Sequence, residues 1–216
     1  MGSDLSKKRK IECALMAYKR LDEYYPDATC SLDLDDPYFF LVRAILSAQC
    51  TDLRVNKTVT DLKTFVNGPE DVLSMGEERL SEIIRPCGLY KAKAKNIIGT
   101  TSIFVNEWNK TIPQNIDDIL CCPGIGRKIA NLLLGELYSI PALVVDTHFK
   151  RVAGRLGLTS SSDPTKIEKD VCAVTDPSMW IRMGHLFVAF GRDICDARNP
   201  RCEECPLNDI CKGRMK

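Results

Sequence analysis

The middle of the chain contains the stretch Leu120-Cys121-Cys122-Pro123-Gly124-Ile125-Gly126-Arg127-Lys128. A short apolar segment leads into Pro-Gly-Ile-Gly, which is typical of a tight turn, and a second helical pattern begins at once. Because glycine has no Cβ, the two glycines allow backbone N–H groups to approach a phosphate, and the second helix N-terminus adds further donors. The stretch therefore predicts two helices joined by a hairpin that can hold a nucleic-acid backbone without contacting bases. An ordinary helix–turn–helix corner is the alternative.

Helical periodicity continues on both sides of this hairpin. Apolar residues recur at intervals of three and four, or form buried helical patterns, in segments 41–49, 72–84, 93–108, 127–137, 165–174 and 181–190. Strand candidates are few, and the β-branched segment 142–145 is short. The sequence predicts an all-α protein built from many short helices.

The C-terminal region contains a tight cysteine ladder. Its members are spaced C-x6-C-x2-C-x5-C, with prolines between them: Cys195, Cys202, Cys205 and Cys211. Four thiolates this close together can enclose one metal centre, and a cysteine ladder with a C-x-x-C step usually binds metal in a chain without secretory features. The alternatives are buried structural cysteines or a disulfide pair. The spacing leaves zinc and an iron–sulfur cluster open as the metal.

Composition restricts the class of protein. The chain has 216 residues, 44% of them apolar, 27% charged, and a net charge of +1, as expected for one soluble domain or two small ones. No apolar run is long enough to span a membrane, and the charged first ten residues lack the apolar core of a signal peptide. We therefore expect a cytoplasmic protein without a membrane partner. Eleven cysteines then favour reduced thiols with a metal over a disulfide framework.

The charges are unevenly distributed despite the near-neutral total. Acidic residues concentrate between positions 22 and 36, and one basic stretch contains Arg85, Lys91, Lys93 and Lys95. Further basic residues are Arg127, Lys128, Lys150, Arg151, Arg155, Arg198 and Arg201. This pattern is compatible with a basic face that binds nucleic acid. Solvated helix faces are the alternative, and charge alone favours them.

Three motifs, taken in order, identify a family resemblance. They are Leu46-Ser47-Ala48-Gln49-Cys50-Thr51-Asp52, the hairpin Pro123 to Lys128, and Val145-Asp146-Thr147-His148. Together with Gly88-Leu89-Tyr90, Gly191-Arg192 and the cysteine ladder, they resemble the endonuclease III family of helix-hairpin-helix DNA glycosylases from about Lys10 to Cys211. The resemblance implies that the four cysteines hold a 4Fe-4S cluster.

The resemblance also implies catalytic roles. Lys128 would be the nucleophile that attacks C1′ of a damaged nucleotide and forms a Schiff base, and Asp146 would be the second catalytic residue. An amine must be neutral to attack, and we expect the helix N-terminus and burial in a cleft to disfavour the ammonium form of Lys128. A nearby Asp146 carboxylate would instead favour the ammonium form of Lys128. Without the resemblance, Lys128 is better interpreted as a phosphate contact or a solvated residue.

The DNA contacts implied by the resemblance extend beyond the hairpin. Gln49 and Leu89 would fill the gap left by an extruded base, and His148 would lie near the sugar-phosphate of the lesion. The alternatives are a helix-end polar residue, a core leucine and a structural histidine. The implied contacts to DNA are Gln49, Leu89, Gly124, Gly126, His148, Arg198 and Arg201.

The implied function is a bifunctional DNA glycosylase and abasic-site lyase of base-excision repair. Its partners would be duplex DNA with damaged pyrimidines or abasic sites, and it would act as a monomer near the nucleoid of a prokaryote. Two all-α lobes are expected, residues 30–140 with the hairpin, and residues 1–29 plus 141–216 with the cluster. Ile129 and Cys122 depart from common family residues, and both look like packing changes. A monofunctional mismatch glycosylase and a non-catalytic iron–sulfur DNA-binding protein are the alternatives.

Overall fold

The computed structural model describes the backbone of residues 2–213 and the side chains of residues 6–213. Within this range the protein is helical and contains no strand, which confirms the all-α prediction. The helices are α1 (Gly2–Tyr24), α2 (Pro37–Leu46), α3 (Asp52–Leu62), α4 (Pro69–Ile83), α5 (Tyr90–Asn106), α6 (Ile116–Leu120), α7 (Arg127–Tyr138), α8 (Thr147–Leu156), α9 (Pro164–Cys172) and α10 (Trp180–Asp193). Short 3-10 turns occur at Arg85–Cys87 and Pro177–Met179. The strand candidate 142–145 was wrong, because this segment connects α7 to α8 without regular structure.

The chain divides into two compact units. We call Cys30–Ile140 the central unit, and Met1–Thr29 together with Pro141–Lys216 the terminal unit. The central unit is continuous in sequence, whereas the terminal unit combines the two ends of the chain. None of the helices in the described part of the chain has the length and apolar character needed to cross a bilayer.

The core of the central unit is built around α2. Asp36 caps this helix by accepting a hydrogen bond from Phe39 N at 2.9 Å, and Pro37 occupies its first turn. Every residue from Tyr38 to Leu46 is buried, so the helix is enclosed on all sides. Helix α4 packs against α5 and changes direction at Gly76, where φ is 76°.

The core of the terminal unit joins α1 to α8 and α10. The rings of Phe149 and Phe187 stack with their centroids 4.9 Å apart, and Leu21 of α1 is completely buried in the same cluster. Arg182 of α10 donates to the backbone carbonyls of Tyr25, Pro26 and Ala28 and pairs with Asp22. These contacts attach the N-terminal segment to the C-terminal part of the chain.

Candidate nucleic-acid interface and metal centre

The predicted hairpin lies between α6 and α7. Its apolar residues point inward, since Ile119, Cys122 and Ile125 are all buried, and Ile125 N donates to Cys122 O at 3.2 Å to close the turn. Gly124 has φ of 76°, a conformation that residues with a Cβ rarely adopt. The turn therefore presents its backbone outward while its side chains anchor it.

Helix α5 supports the hairpin from behind. Thr100 Oγ1 donates to Pro123 O at 2.9 Å, and a Cβ on Gly99 would lie only 3.0 Å from Pro123 Cγ. A Cβ on Gly124 would approach the Asn96 side chain to 2.6 Å. The close packing at both glycines shows that the hairpin backbone is held directly against α5.

Gly126 differs from Gly124. Its φ is −100° and its ψ 175°, which is extended backbone open to any residue, and a Cβ there would meet nothing within 4 Å. Gly126 is the N-cap of α7, so the partial positive charge of the helix N-terminus follows it directly. An added methyl group would therefore lie beside this helix end, where a bound phosphate would need to approach.

Lys128 lies in the first turn of α7 and its side chain is exposed. The sequence correctly predicted the helix N-terminus, but burial of this side chain was wrong for the free protein. The amine is accessible to a bound nucleotide.

Gln49 and Leu89 share an unusual backbone conformation. Both have positive φ, 53° and 48° respectively, which is uncommon for residues other than glycine. Gln49 is exposed in the turn after α2, and Leu89 is the N-cap of α5 with 59% of its surface exposed. Gly88 before it has φ of 65°. Leu89 is thus an exposed apolar side chain at the tip of a turn and not the core leucine of the alternative interpretation.

Asp146 and His148 lie at the start of α8. Asp146 caps the helix, with Oδ1 accepting a hydrogen bond from Phe149 N at 2.7 Å, and this bond orients the half-buried carboxylate. Arg151 Nη2 lies 3.2 Å from His148 Nδ1. A guanidinium can only donate, so Nδ1 accepts and the proton of a neutral imidazole resides on Nε2. His148 is therefore oriented as a donor through Nε2.

The four cysteines of the ladder line one pocket of the terminal unit together with Leu156, Phe190 and Leu207. Burial raises the pKa of Cys205, and the neighbouring Cys195, Cys211 and Cys202 raise it further, as expected where cysteine side chains lie near one another. Among residues 6–213, no three or more His, Cys, Asp and Glu side chains are placed closely enough to hold a single metal ion between them. The donor set of four thiols in one mostly apolar pocket fits an iron–sulfur cluster.

Arg155 of α8 organises the first part of this cysteine loop. Its Nη1 donates to Cys195 Sγ at 3.1 Å and to Asp196 O at 2.7 Å, and its Nη2 donates to Ala197 O at 3.1 Å. A guanidinium here can offset the negative charge of thiolate ligands. The sequence placed Arg155 among the basic residues of a possible DNA-binding face, whereas the structure places it against the metal centre.

Arg198 and Arg201 occupy the loop between Cys195 and Cys202. The Asp196 carboxylate accepts backbone hydrogen bonds from Arg198 and Asn199 at 2.8 and 3.0 Å, and Arg198 is exposed. Arg201 instead pairs with Glu204 at 2.9 Å and with Asp193. A phosphate contact by Arg201 would require exchange of these carboxylates, whereas Arg198 is directly accessible.

Lys93 was grouped with the exposed basic residues of α5 by sequence, and this was wrong. Only 4% of its surface is exposed, and its amine donates to Leu46 O at 2.9 Å and Cys87 O at 2.8 Å. The available signal was periodicity, since Lys93 is on the same helical face as Ile97 and Thr100, both of which are buried.

Comparison with known proteins agrees with this arrangement. Residues 42–176 match the family described as HhH-GPD superfamily base excision DNA repair protein, and residues 195–211 match the iron-sulfur binding domain of endonuclease III. The chain is 41% identical to endonuclease III of Synechocystis sp. over 209 residues, which cover 95% of this chain and 93% of the relative.

Two solved structures are similar over most of their length. A non-covalent endonuclease III–DNA complex gives a TM-score of 0.86 at 34% identity, covering 91% of this chain and 92% of that chain. A trapped endonuclease III–DNA covalent intermediate, an estranged-adenine complex, gives a TM-score of 0.87 at 34% identity, covering 91% and 93%.

Proposed function

The chain belongs to the endonuclease III family, within the HhH-GPD superfamily of base-excision DNA repair proteins, and is a bifunctional DNA glycosylase and abasic-site lyase; we propose that it removes oxidised pyrimidines from duplex DNA and cleaves at abasic sites. The observation that carries the proposal is the accessible amine of Lys128, in the first turn of α7 directly after the hairpin. A water-using glycosylase has no need of an amine there.

In the proposed reaction, the neutral amine of Lys128 attacks C1′ of the damaged nucleotide. The C1′–N bond breaks, the base leaves with a proton, and the sugar ring opens to give an imine between Nζ and C1′. Loss of a proton from C2′ and cleavage of the C3′–O bond then cut the strand on the 3′ side of the lesion. Hydrolysis of the imine returns the free amine.

We assign Asp146 to proton transfer and electrostatic stabilisation. Its carboxylate can accept a proton or stabilise positive charge on the sugar as the base departs. The hydrogen bond that it accepts from Phe149 N orients the carboxylate. His148 is assigned to the sugar-phosphate, because its Nε2–H can donate to a phosphate oxygen while Arg151 holds the other nitrogen.

Binding of DNA is assigned to exposed backbone and two inserted side chains. Gly124 and Gly126 allow the hairpin N–H groups to reach phosphate oxygens. Gln49 and Leu89 would fill the space left when the damaged base is extruded, which offsets part of the cost of unstacking. Arg198 would add a phosphate contact from the cysteine loop.

The 4Fe-4S cluster would be held by Cys195, Cys202, Cys205 and Cys211. When bound, it supplies four covalent links that fix the loop. Hydrogen bonds of Arg155 and Asp196 also fix the loop backbone that carries Arg198. We propose further that the protein acts as a monomer on nucleoid DNA in the cytoplasm of a prokaryotic cell.

Borohydride trapping on a duplex with one thymine glycol tests this function. Wild type is compared with Lys128→Gln, which removes the amine at an exposed position and is expected to leave the fold and DNA binding intact. We expect a covalent protein–DNA adduct with wild type and none with Lys128→Gln. Base release without an adduct would instead support a monofunctional mismatch glycosylase. If the wild type neither formed an adduct nor released bases from a panel of lesions, a non-catalytic DNA-binding protein would be supported.

A further inference from the structure

Lys93 is a buried cation that joins two separate segments of the central unit. Its Nζ lies 2.9 Å from the carbonyl oxygen of Leu46 and 2.8 Å from that of Cys87. These partners are 47 and 6 residues away in sequence. A single ammonium group therefore fixes the distance between two backbone segments that no helix connects directly.

Both carbonyls lie at the end of a helical element. Leu46 is the last residue of α2, and Cys87 is the last residue of the 3-10 turn. Terminal carbonyls of a helix have no partner within it and carry partial negative charge. An ammonium group can pair with both carbonyls and offset their partial negative charge, because it carries several N–H donors and a positive charge on one atom.

The two segments continue directly into the two residues assigned to gap filling. Gln49 follows Leu46 by three positions, and Leu89 follows Cys87 by two, and both have positive φ. A left-handed conformation at residues other than glycine persists only where the surrounding structure imposes it. Lys93 contacts the backbone three residues before Gln49 and two residues before Leu89.

If this position served only for packing, a buried lysine would be unfavourable, because its charge must be desolvated. Burial lowers the pKa of Lys93, although the neighbouring Cys50 and Cys87 oppose the shift, and an apolar side chain of similar length would avoid the desolvation cost. The ammonium is useful because it can hold two carbonyls that an apolar side chain would leave without a partner.

We propose that Lys93 is a positioning residue for base extrusion, in which its buried ammonium holds the segments carrying Gln49 and Leu89 at the separation that insertion beside an extruded nucleotide requires. The inference rests on the proposed function, because it assumes that Gln49 and Leu89 enter DNA. Lys93 does not touch the reacting atoms. Its loss would therefore impair extrusion and leave the chemistry of Lys128 intact.

The test is single-turnover base release by the full-length, cluster-containing protein. Lys93→Met keeps the length of the side chain and removes its donors, and Lys95→Met, on an exposed position of the same helix, removes the same charge. Two duplexes are used: thymine glycol paired with adenine, and thymine glycol opposite an abasic analogue, where less pairing must be broken. Fluorescence of 2-aminopurine beside the lesion reports unstacking.

We expect Lys93→Met to lower release from the paired duplex by about 100-fold, with a much smaller loss on the unpaired one and a weakened fluorescence change. Lys95→Met should affect both duplexes equally. An equal loss by Lys93→Met on both duplexes, or no loss on either, would overturn the proposal. If Lys93→Met does not fold, Lys93→Arg is tested in its place, because it keeps the donors but changes their geometry. Lys93→Arg must then show the same difference between the two duplexes. If the proposed function itself were wrong, the wild type would form no borohydride adduct. This outcome is therefore distinguishable from failure of the Lys93 proposal.

Discussion

Gly124 and Gly126 are separated by one residue, yet they are needed for different reasons. Gly124 has φ of 76° and its Cβ would lie 2.6 Å from Asn96, so Gly124→Ala should destabilise the protein by about 1–2 kcal/mol or more. Gly126 has neither constraint. Gly126→Ala should change stability by less than about 1 kcal/mol, because the lower entropy of the unfolded chain offsets the poorer N-cap, while weakening DNA binding.

Urea denaturation and binding to an undamaged duplex separate these effects. The two variants differ by the same methyl group, so each is the control for the other. If Gly126→Ala bound DNA as tightly as wild type, the hairpin would not approach the phosphate backbone through this residue. If Gly124→Ala were as stable as wild type, the packing of Asn96 would have to relax without cost.

Single residues also mark the limit of sequence analysis. The hairpin glycines were predictable because Pro-Gly-Ile-Gly has a local turn preference. The positive φ of Gln49 and Leu89 was not, since neither residue prefers this conformation and each is held by tertiary structure. The burial of Lys93 was missed because the residue was interpreted from its basic neighbours and not from its helical periodicity. A local charge pattern does not reveal that two distant carbonyls surround the amine.

At the scale of single elements, helix α8 carries residues with different roles at its two ends. Its N-terminus carries Asp146 and His148, and its last turn carries Arg155, which donates to Cys195 Sγ and to three carbonyls of the cysteine loop. Arg155→Gln removes most of these bonds. We expect faster loss of the cluster under air or chelator with little change in helix content, measured by visible absorbance and far-UV circular dichroism.

Arg198→Gln is the matched control within the same loop. It removes one positive charge at an exposed position, so the cluster should be retained. DNA affinity should fall, and the slope of log K against log salt should decrease by about 1. Cluster loss in Arg198→Gln, or a stable cluster in Arg155→Gln, would contradict this division of tasks between the two arginines.

Elements differ in how well sequence predicts them. Segments with continuous apolar periodicity, such as 93–108 and 127–137, lie close to α5 (Tyr90–Asn106) and α7 (Arg127–Tyr138). Helix α3 was missed because its buried face is narrow, consisting of Val55, Thr58, Val59 and Leu62 among polar residues. The segment 142–145 combines β-branched residues with burial, but no neighbouring strand is available in the described part of the chain to pair with it.

An ion-pair cluster in the central unit is expected to make the stability of the protein depend on pH. Burial alone would raise the pKa of Asp35, but hydrogen bonds from Lys63 and Arg43 at 2.6 Å outweigh it and lower the pKa to about 2. The Arg43 side chain is only 1% exposed, and its buried positive charge is paired with this carboxylate and, at 3.6 Å, with Asp33. The carboxylate of an unfolded chain has a pKa of about 3.9. Its contribution is therefore complete above about pH 5 and is lost as the pH falls towards about 2.

Asp35→Asn tests this dependence. The variant should be less stable near neutral pH by about 1 kcal/mol, well below the cost of breaking a fully buried pair because the carboxylate is 41% exposed. Its stability should also fall less steeply than that of wild type between about pH 5 and about pH 3. Parallel pH curves for the two proteins, measured as urea midpoints, would contradict the assignment.

The topology of the whole chain makes a last prediction about folding. The central unit, Cys30–Ile140, is continuous, and its buried helix α2 packs against α3, α5 and α7 of the same unit. The terminal unit requires both chain ends, because Leu21 of α1 is fully buried in its core and Arg20 donates to Pro206 O at 2.9 Å. Residues 30–140 expressed alone should therefore unfold cooperatively in urea.

Residues 141–216 expressed alone should show no cooperative transition and retain no cluster, since α1 is absent. Adding residues 1–29 in trans should restore part of both properties, because the Arg20 and Arg182 contacts connect the two segments without a covalent link. A cooperative, cluster-containing fragment 141–216 would show that α1 is dispensable. A fragment 30–140 without a transition would show that the central unit depends on the terminal unit for its fold.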